Sequence, residues 1–123
     1  MTPKNVLDLC KEKVVLLDGG MGTSLMKLGL EPGRPGESWN LDHPEAVHEI
    51  HARFIEAGSD VVQTNTFGGT RFRLDHFGLG DRVQEINRAG AAIARKAAGG
   101  KRSCGWKHRA FRAVPSTCGK CGI

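Results

Sequence analysis

Apolar residues along this chain fall into runs and stripes of two different periods. Val14-Val15-Leu16-Leu17 is a continuous apolar run of strand length, with charge before it and Asp18-Gly19-Gly20 after it. Such a run predicts a strand buried on both faces, as in parallel sheets. Val61-Val62 predicts a second strand that runs into Thr64-Asn65-Thr66-Phe67-Gly68-Gly69. Between them Val47, Ile50, Phe54 and Ile55 recur at i, i+3, i+7 and i+8, the stripe of an amphipathic helix. Asp42 is expected to cap that helix, with Glu45 completing a capping box and Pro44 in the first turn, and Gly58 is its natural stop. Val83, Ile86, Gly90, Ile93, Ala94 and Ala97 form the apolar face of a later helix, with Asp81 and Gln84 in capping-box positions. Shorter helices are expected at 5–11 (Val6, Leu7 and Cys10 on one side), at 21–30 and at 71–77, with a Pro- and Gly-rich loop at 31–36.

The order is strand, helix, strand, helix, with polar or glycine-rich segments after each strand. It predicts an α/β fold with parallel strands, in which sites lie at the C-terminal ends of the strands. Segments 18–23 and 64–69 both fall there. At 123 residues the chain has room for one core, not for a closed (β/α)8 barrel of roughly 250 residues. It has neither a long apolar span nor a secretory leader pattern, so the cytoplasm is the expected compartment and no membrane partner is expected.

The net charge of +5 suggests nucleic acid until its distribution is examined. The 23 residues after Gly100 hold six basic and no acidic residues, whereas the first 100 hold 12 basic and 13 acidic ones. Cys104, Cys118 and Cys121 also lie in that tail. The break divides the chain at about residue 98 into an α/β portion, 1–98, and a basic cysteine-containing tail, 99–123.

Two segments carry candidate chemistry. In Asp18-Gly19-Gly20-Met21-Gly22-Thr23 the glycines would let backbone approach a small ligand and the carboxylate would receive an ammonium group; the alternative is a tight turn whose aspartate satisfies local N–H groups. Gln63-Thr64-Asn65-Thr66-Phe67 offers a polar wall for a small substrate, or else side chains that satisfy loop backbone. Neither a phosphate loop nor a dinucleotide fingerprint is present. His48-Glu49-Ile50-His51 has the wrong spacing for a metalloprotease helix, so both histidines are expected on a solvated edge. Met21 and Met26 are expected as core filler rather than as ligands. Cys104-x3-His108 with Cys118-x2-Cys121 is a poor zinc pattern.

Leu16-Leu17-Asp18-Gly19-Gly20-Met21-Gly22-Thr23, Ser38-Trp39-Asn40-Leu41, His43-Pro44-Glu45-Ala46-Val47, Phe54-Ile55-Glu56-Ala57-Gly58-Ser59-Asp60 and Gln63-Thr64-Asn65-Thr66-Phe67 together resemble the opening of the homocysteine S-methyltransferase family, over residues 5 to about 98. The resemblance implies the first two βα units of a (β/α)8 barrel. It implies methyl transfer to the homocysteine thiolate, giving methionine, on a zinc ion held by three cysteines. It places Asp18, Gly19 and Gly20 beside the amino-acid end of homocysteine, and Thr64, Asn65, Thr66 and Phe67 as neighbours of the substrate. The family's zinc cysteines come from later strands, and no zinc role or catalytic role is carried onto any residue here. The methyl donor stays open among methylcobalamin, a folate, betaine and S-methylmethionine.

Where the family's third strand is expected, residues 101–112 differ. Read one nucleotide later, a particular choice among their permitted codons can give Asn-Val-Ala-Ala-Ala-Gly-Ser-Ile-Gly-Pro-Ser-Gly, which resembles that strand. The expectation is therefore a frameshifted, unstructured tail on a barrel fragment that is poorly stable and inactive alone. Two further readings follow it: a fragment completed by a separately encoded C-terminal part of the barrel, and a small zinc- or nucleic-acid-binding protein acting through the tail.

Overall fold

A computed structural model describes residues 6–99 and, as backbone, 112–114. Helix α1, Val6–Glu12, buries Leu9 and leaves Leu7 and Cys10 exposed, so its inward side differs from the expected one. After the loop that follows Asp18 come α2 (Met21–Lys27), a single 3-10 turn (Gly36–Ser38), α3 (Trp39–Asp42) and α4 (Pro44–Ala57). Strand β1 is Val61–Gln63, followed by α5 (Arg71–Asp75), a second 3-10 turn (Gly80–Arg82), α6 (Val83–Gly99) and β2 (Arg112–Val114). Strands β1 and β2 pair in parallel, with Val61 opposite Arg112 and Gln63 opposite Val114. No helix among the described residues is long and apolar enough to cross a membrane.

The first expected strand is reduced to one parallel bridge, Leu17 to Val61. Val14 is 84% exposed and Leu16 and Leu17 lie more than half in solvent, which corrects the expectation of burial on both faces. An apolar run is buried only if neighbours cover it, and the described residues pair this segment on one side alone. Two carboxylates hold it where sheet hydrogen bonds run out. Asp60 accepts from the Leu16 N–H (3.1 Å) and from Lys13 Nζ (2.6 Å), while the Asp60 N–H donates to the Leu16 carbonyl at 2.8 Å. At the far end Asp18 accepts from the Gln63 N–H at 3.0 Å.

Helix α4 buries Val47, Ile50 and Ile55 as its stripe requires, and Gly58 ends it in the left-handed region at φ 111°. Its cap differs from expectation. Pro44 occupies the first helical position, so His43 is the N-cap and Asp42 closes the preceding short helix. Likewise Asp81 sits within a 3-10 turn and faces Arg71 at 3.6 Å across solvent. Helix α6 buries Ile86, Gly90, Ala94 and Ala97. Two apolar clusters result. Leu25, Leu30, Val47 and Ile50 pack with Met21, Trp39, Phe54 and Ile93; Ile55 and Val62 pack with Ala94 and Ala97. Met21 thus packs against the core as expected, whereas Met26 is 46% exposed.

His51 is the main correction on α4. It is 0% exposed, and neither ring nitrogen has a hydrogen-bond partner. Position 51 lies one helical turn from both Val47 and Ile55, so the packed face extends over it. Burial, with the neighbouring His48 adding a smaller effect, lowers its pKa from 6.5 to about 4. The expectation of an unstructured tail lies outside the described residues except at β2, where a short strand forms; the tail cysteines and His108 lie outside them too.

Candidate functional site

Strand β1 and the bridge at Leu17 run in parallel, so the segments that leave them emerge at the same end. Asp18, Gly19 and Gly20 on one side and Gln63, Thr64, Asn65 and Phe67 on the other line a single open cleft of about 440 Å³, together with Arg34, Glu37 and Arg73. The Asp18 carboxylate links the two sides directly through the Gln63 N–H. Burial raises the Asp18 pKa above the ordinary carboxylate value, and that backbone hydrogen bond works against the rise.

The two glycines have local duties as well. A Cβ on Gly19 would stand 3.0 Å from the Phe54 ring, so this position lets helix α4 pack under the strand end. Gly20 is the N-cap of α2, and its carbonyl accepts from the Ser24 hydroxyl at 2.8 Å.

The second segment divides by role. Thr64 and Thr66 are buried and share a hydroxyl–hydroxyl hydrogen bond of 2.7 Å. Thr66 does not line the cleft; a Cβ on Gly90 of α6 would lie 3.0 Å from its methyl group, which shows how closely helix and loop meet. Asn65 is buried and donates to the Gly36 carbonyl (2.9 Å) and to Asn40 Oδ1 (3.0 Å), while Asn40 Nδ2 donates to the carbonyls of Asn65 (2.8 Å) and Ile86 (3.2 Å). Its side chain therefore serves loop backbone and a neighbouring amide, the blander of the two readings the motif allowed. Phe67 is 74% exposed at the cleft wall.

Sequence reading missed Glu37. It is 7% exposed, and its carboxylate accepts from the Gly68 N–H at 2.6 Å. The available signal was an acid immediately after the Gly- and Pro-rich loop at 31–36. Arg34 and Arg73, also on the cleft, carried no signal of their own.

The sequence profile of the homocysteine S-methyltransferase family matches residues 15–122. The chain belongs to this family. Methionine synthase from Mycobacterium tuberculosis is 36% identical over 100 residues, covering 76% of this chain and 8% of that protein, and the Mycobacterium leprae methionine synthase is 34% identical over a stretch of the same length. Among solved structures, the oxidized form of the homocysteine methyltransferase MmuM from Escherichia coli superposes with a TM-score of 0.64 at 26% identity, over 76% of this chain and 34% of that one. The chain therefore spans a small part of the curated relatives it matches and about a third of the solved enzyme. The family match runs across Gly99-Gly100 and through most of the tail. The described residues hold no group of three or more His, Cys, Asp or Glu side chains able to bind a metal, and Cys10, the one cysteine among them, is exposed. They do not fit a zinc centre.

Proposed function

We propose that residues 15–98 form the first part of a homocysteine-binding (β/α)8 barrel and that the cleft receives the amino-acid end of homocysteine. The observation that carries this reading is the Asp18–Gln63 link, which brings a carboxylate and a polar wall to one amino-acid-sized hollow. Asp18 receives the ammonium group, the Gly19-Gly20 backbone lies alongside, and Thr64, Asn65, Thr66 and Phe67 shape the wall, Asn65 and Thr66 by holding it rather than by touching the ligand. A carboxylate whose pKa is raised by burial is a poorly solvated anion, and an arriving cation supplies what water does not.

Methyl transfer in this family would draw on a zinc-bound thiolate, and the described residues group no ligands that could hold the zinc. The purified chain, given homocysteine and any of the four donors, is expected to form no methionine. For residues 99–123 the frameshift reading stands against a family match that continues through most of the tail, and the codons of 101–112 decide between them.

Calorimetric titration with L-homocysteine tests the cleft. The wild-type chain binds, and Asp18→Asn weakens binding by at least about tenfold, as loss of a charge-assisted contact requires. The same substitution leaves the unfolding midpoint unchanged or higher. A carboxyl with a raised folded pKa opposes folding while ionised, and that penalty disappears only as pH falls through the folded value and below 3.8. Equal affinity in the two proteins would overturn the reading.

A further inference from the structure

We infer that Glu37 is a positioning residue for this cleft: by holding the Gly68 N–H it fixes where the Phe67 ring stands. The inference rests on the homocysteine reading above. Glu37 belongs to the single 3-10 turn Gly36–Ser38, which lies 31 residues from Gly68 in sequence. The contact is a charge-assisted hydrogen bond, at 2.6 Å slightly shorter than usual for an N–H donor. Two side chains stand close over the peptide it grips. A Cβ on Gly68 would fall 2.8 Å from Glu37 Oε1 and 2.7 Å from Arg73 Nε, so the two side chains close over that backbone.

The same turn holds the loop's inner end, because Asn65 Nδ2 donates to the Gly36 carbonyl. Residues 65 and 68 are thus both tied to one element, and Phe67 lies between them. A ring exposed to 74% is not placed by packing around it. Its direction follows from the backbone, and the peptide immediately after it is the one Glu37 holds. A neutral amide at position 37 would keep an acceptor oxygen for that N–H. Alanine would leave the donor without one and free the outer half of the loop.

The test is a double-substitution cycle in the full chain, read by L-homocysteine affinity, with amide exchange at Gly68 followed by NMR. Glu37→Ala is expected to weaken binding by about tenfold, Phe67→Ala by a similar factor, and the pair by no more than about either alone, the mark of residues acting through one another. Glu37→Gln should keep affinity within about threefold of wild type, because its amide oxygen still accepts from the Gly68 N–H, if more weakly than the carboxylate. Gly68 should exchange slowly in the wild type and in Glu37→Gln. Fully additive losses would overturn the inference, as would a Glu37→Gln effect as large as that of alanine, which would make Glu37 a direct ligand contact. Fast Gly68 exchange in the wild type would overturn it without any variant having to fold. A wild-type chain that binds no homocysteine defeats the underlying reading and this inference together, whereas binding with additive losses defeats the inference alone.

Discussion

The first expected strand and the segment that follows the second differ in how they are held. Segment 14–17 is the more apolar, yet it lies largely in solvent, joined to β1 by one bridge and two carboxylates. Segment 64–69 is the more polar, yet most of it is buried, because its amides and hydroxyls are paired with Asn40, Glu37 and one another. Hydrophobicity is a demand for cover, and cover must come from another part of the fold. Polarity excludes burial only where hydrogen-bond partners are missing.

Breaking the polar side of this contrast should cost most. Asn40→Ala removes a side chain that makes three buried hydrogen bonds. Leaving those groups unpaired is expected to lower stability by about 4 kcal/mol in urea unfolding. An intact midpoint would mean that water substitutes freely in the loop.

Acid attacks the packed helix next. His51 is neutral in both folded and unfolded chains above pH 6.5. Between 6.5 and about 4 the unfolded chain takes up a proton that the folded chain refuses, so stability falls over that window. The loss amounts to about 3 kcal/mol. Carboxylates titrate in part of the same range, so the measurement is the difference between wild type and His51→Leu, compared at pH 7 and pH 4.5. Parallel acid losses in the two proteins would place His51 in contact with water.

On the apolar side, effects should shrink. Asp60→Asn weakens the Lys13 contact but keeps an acceptor for the Leu16 N–H, and should cost about 1 kcal/mol, since Lys13 is more than a third exposed and water takes up its charge. Val14→Thr should change stability by less than about 0.5 kcal/mol, as at other exposed sites. A large loss there would show that the strand segment is covered in solution.

Much of the fold was legible because helices announce themselves locally. The stripe from Val47 to Ile55 and the stop at Gly58 require nothing beyond the chain's own periodicity, and α4 follows them. Caps were legible only to within a residue or two. Asp42 and Asp81 have suitable chemistry, but Pro44 fixes the first helical turn one position later than an Asp42 cap needs, and a 3-10 turn stands ahead of α6. His51 was illegible because histidine reads as polar in any pattern, and only its packed surroundings bury it. The fate of 14–17 was illegible for the converse reason. In the site, Asp18 and Thr64 could be paired because both end strands that run the same way. Glu37 could not, because a contact across 31 residues leaves no periodic trace.

The Asp18 carboxylate aligns the strand ends through the Gln63 N–H, and on the function proposed above the same charge would also receive the ammonium group. A ligand held there on that reading would stabilise the folded chain by mass action, so occupancy and firmness would rise together. A thermal shift on adding the amino acid would therefore report capture even in a chain that performs no turnover.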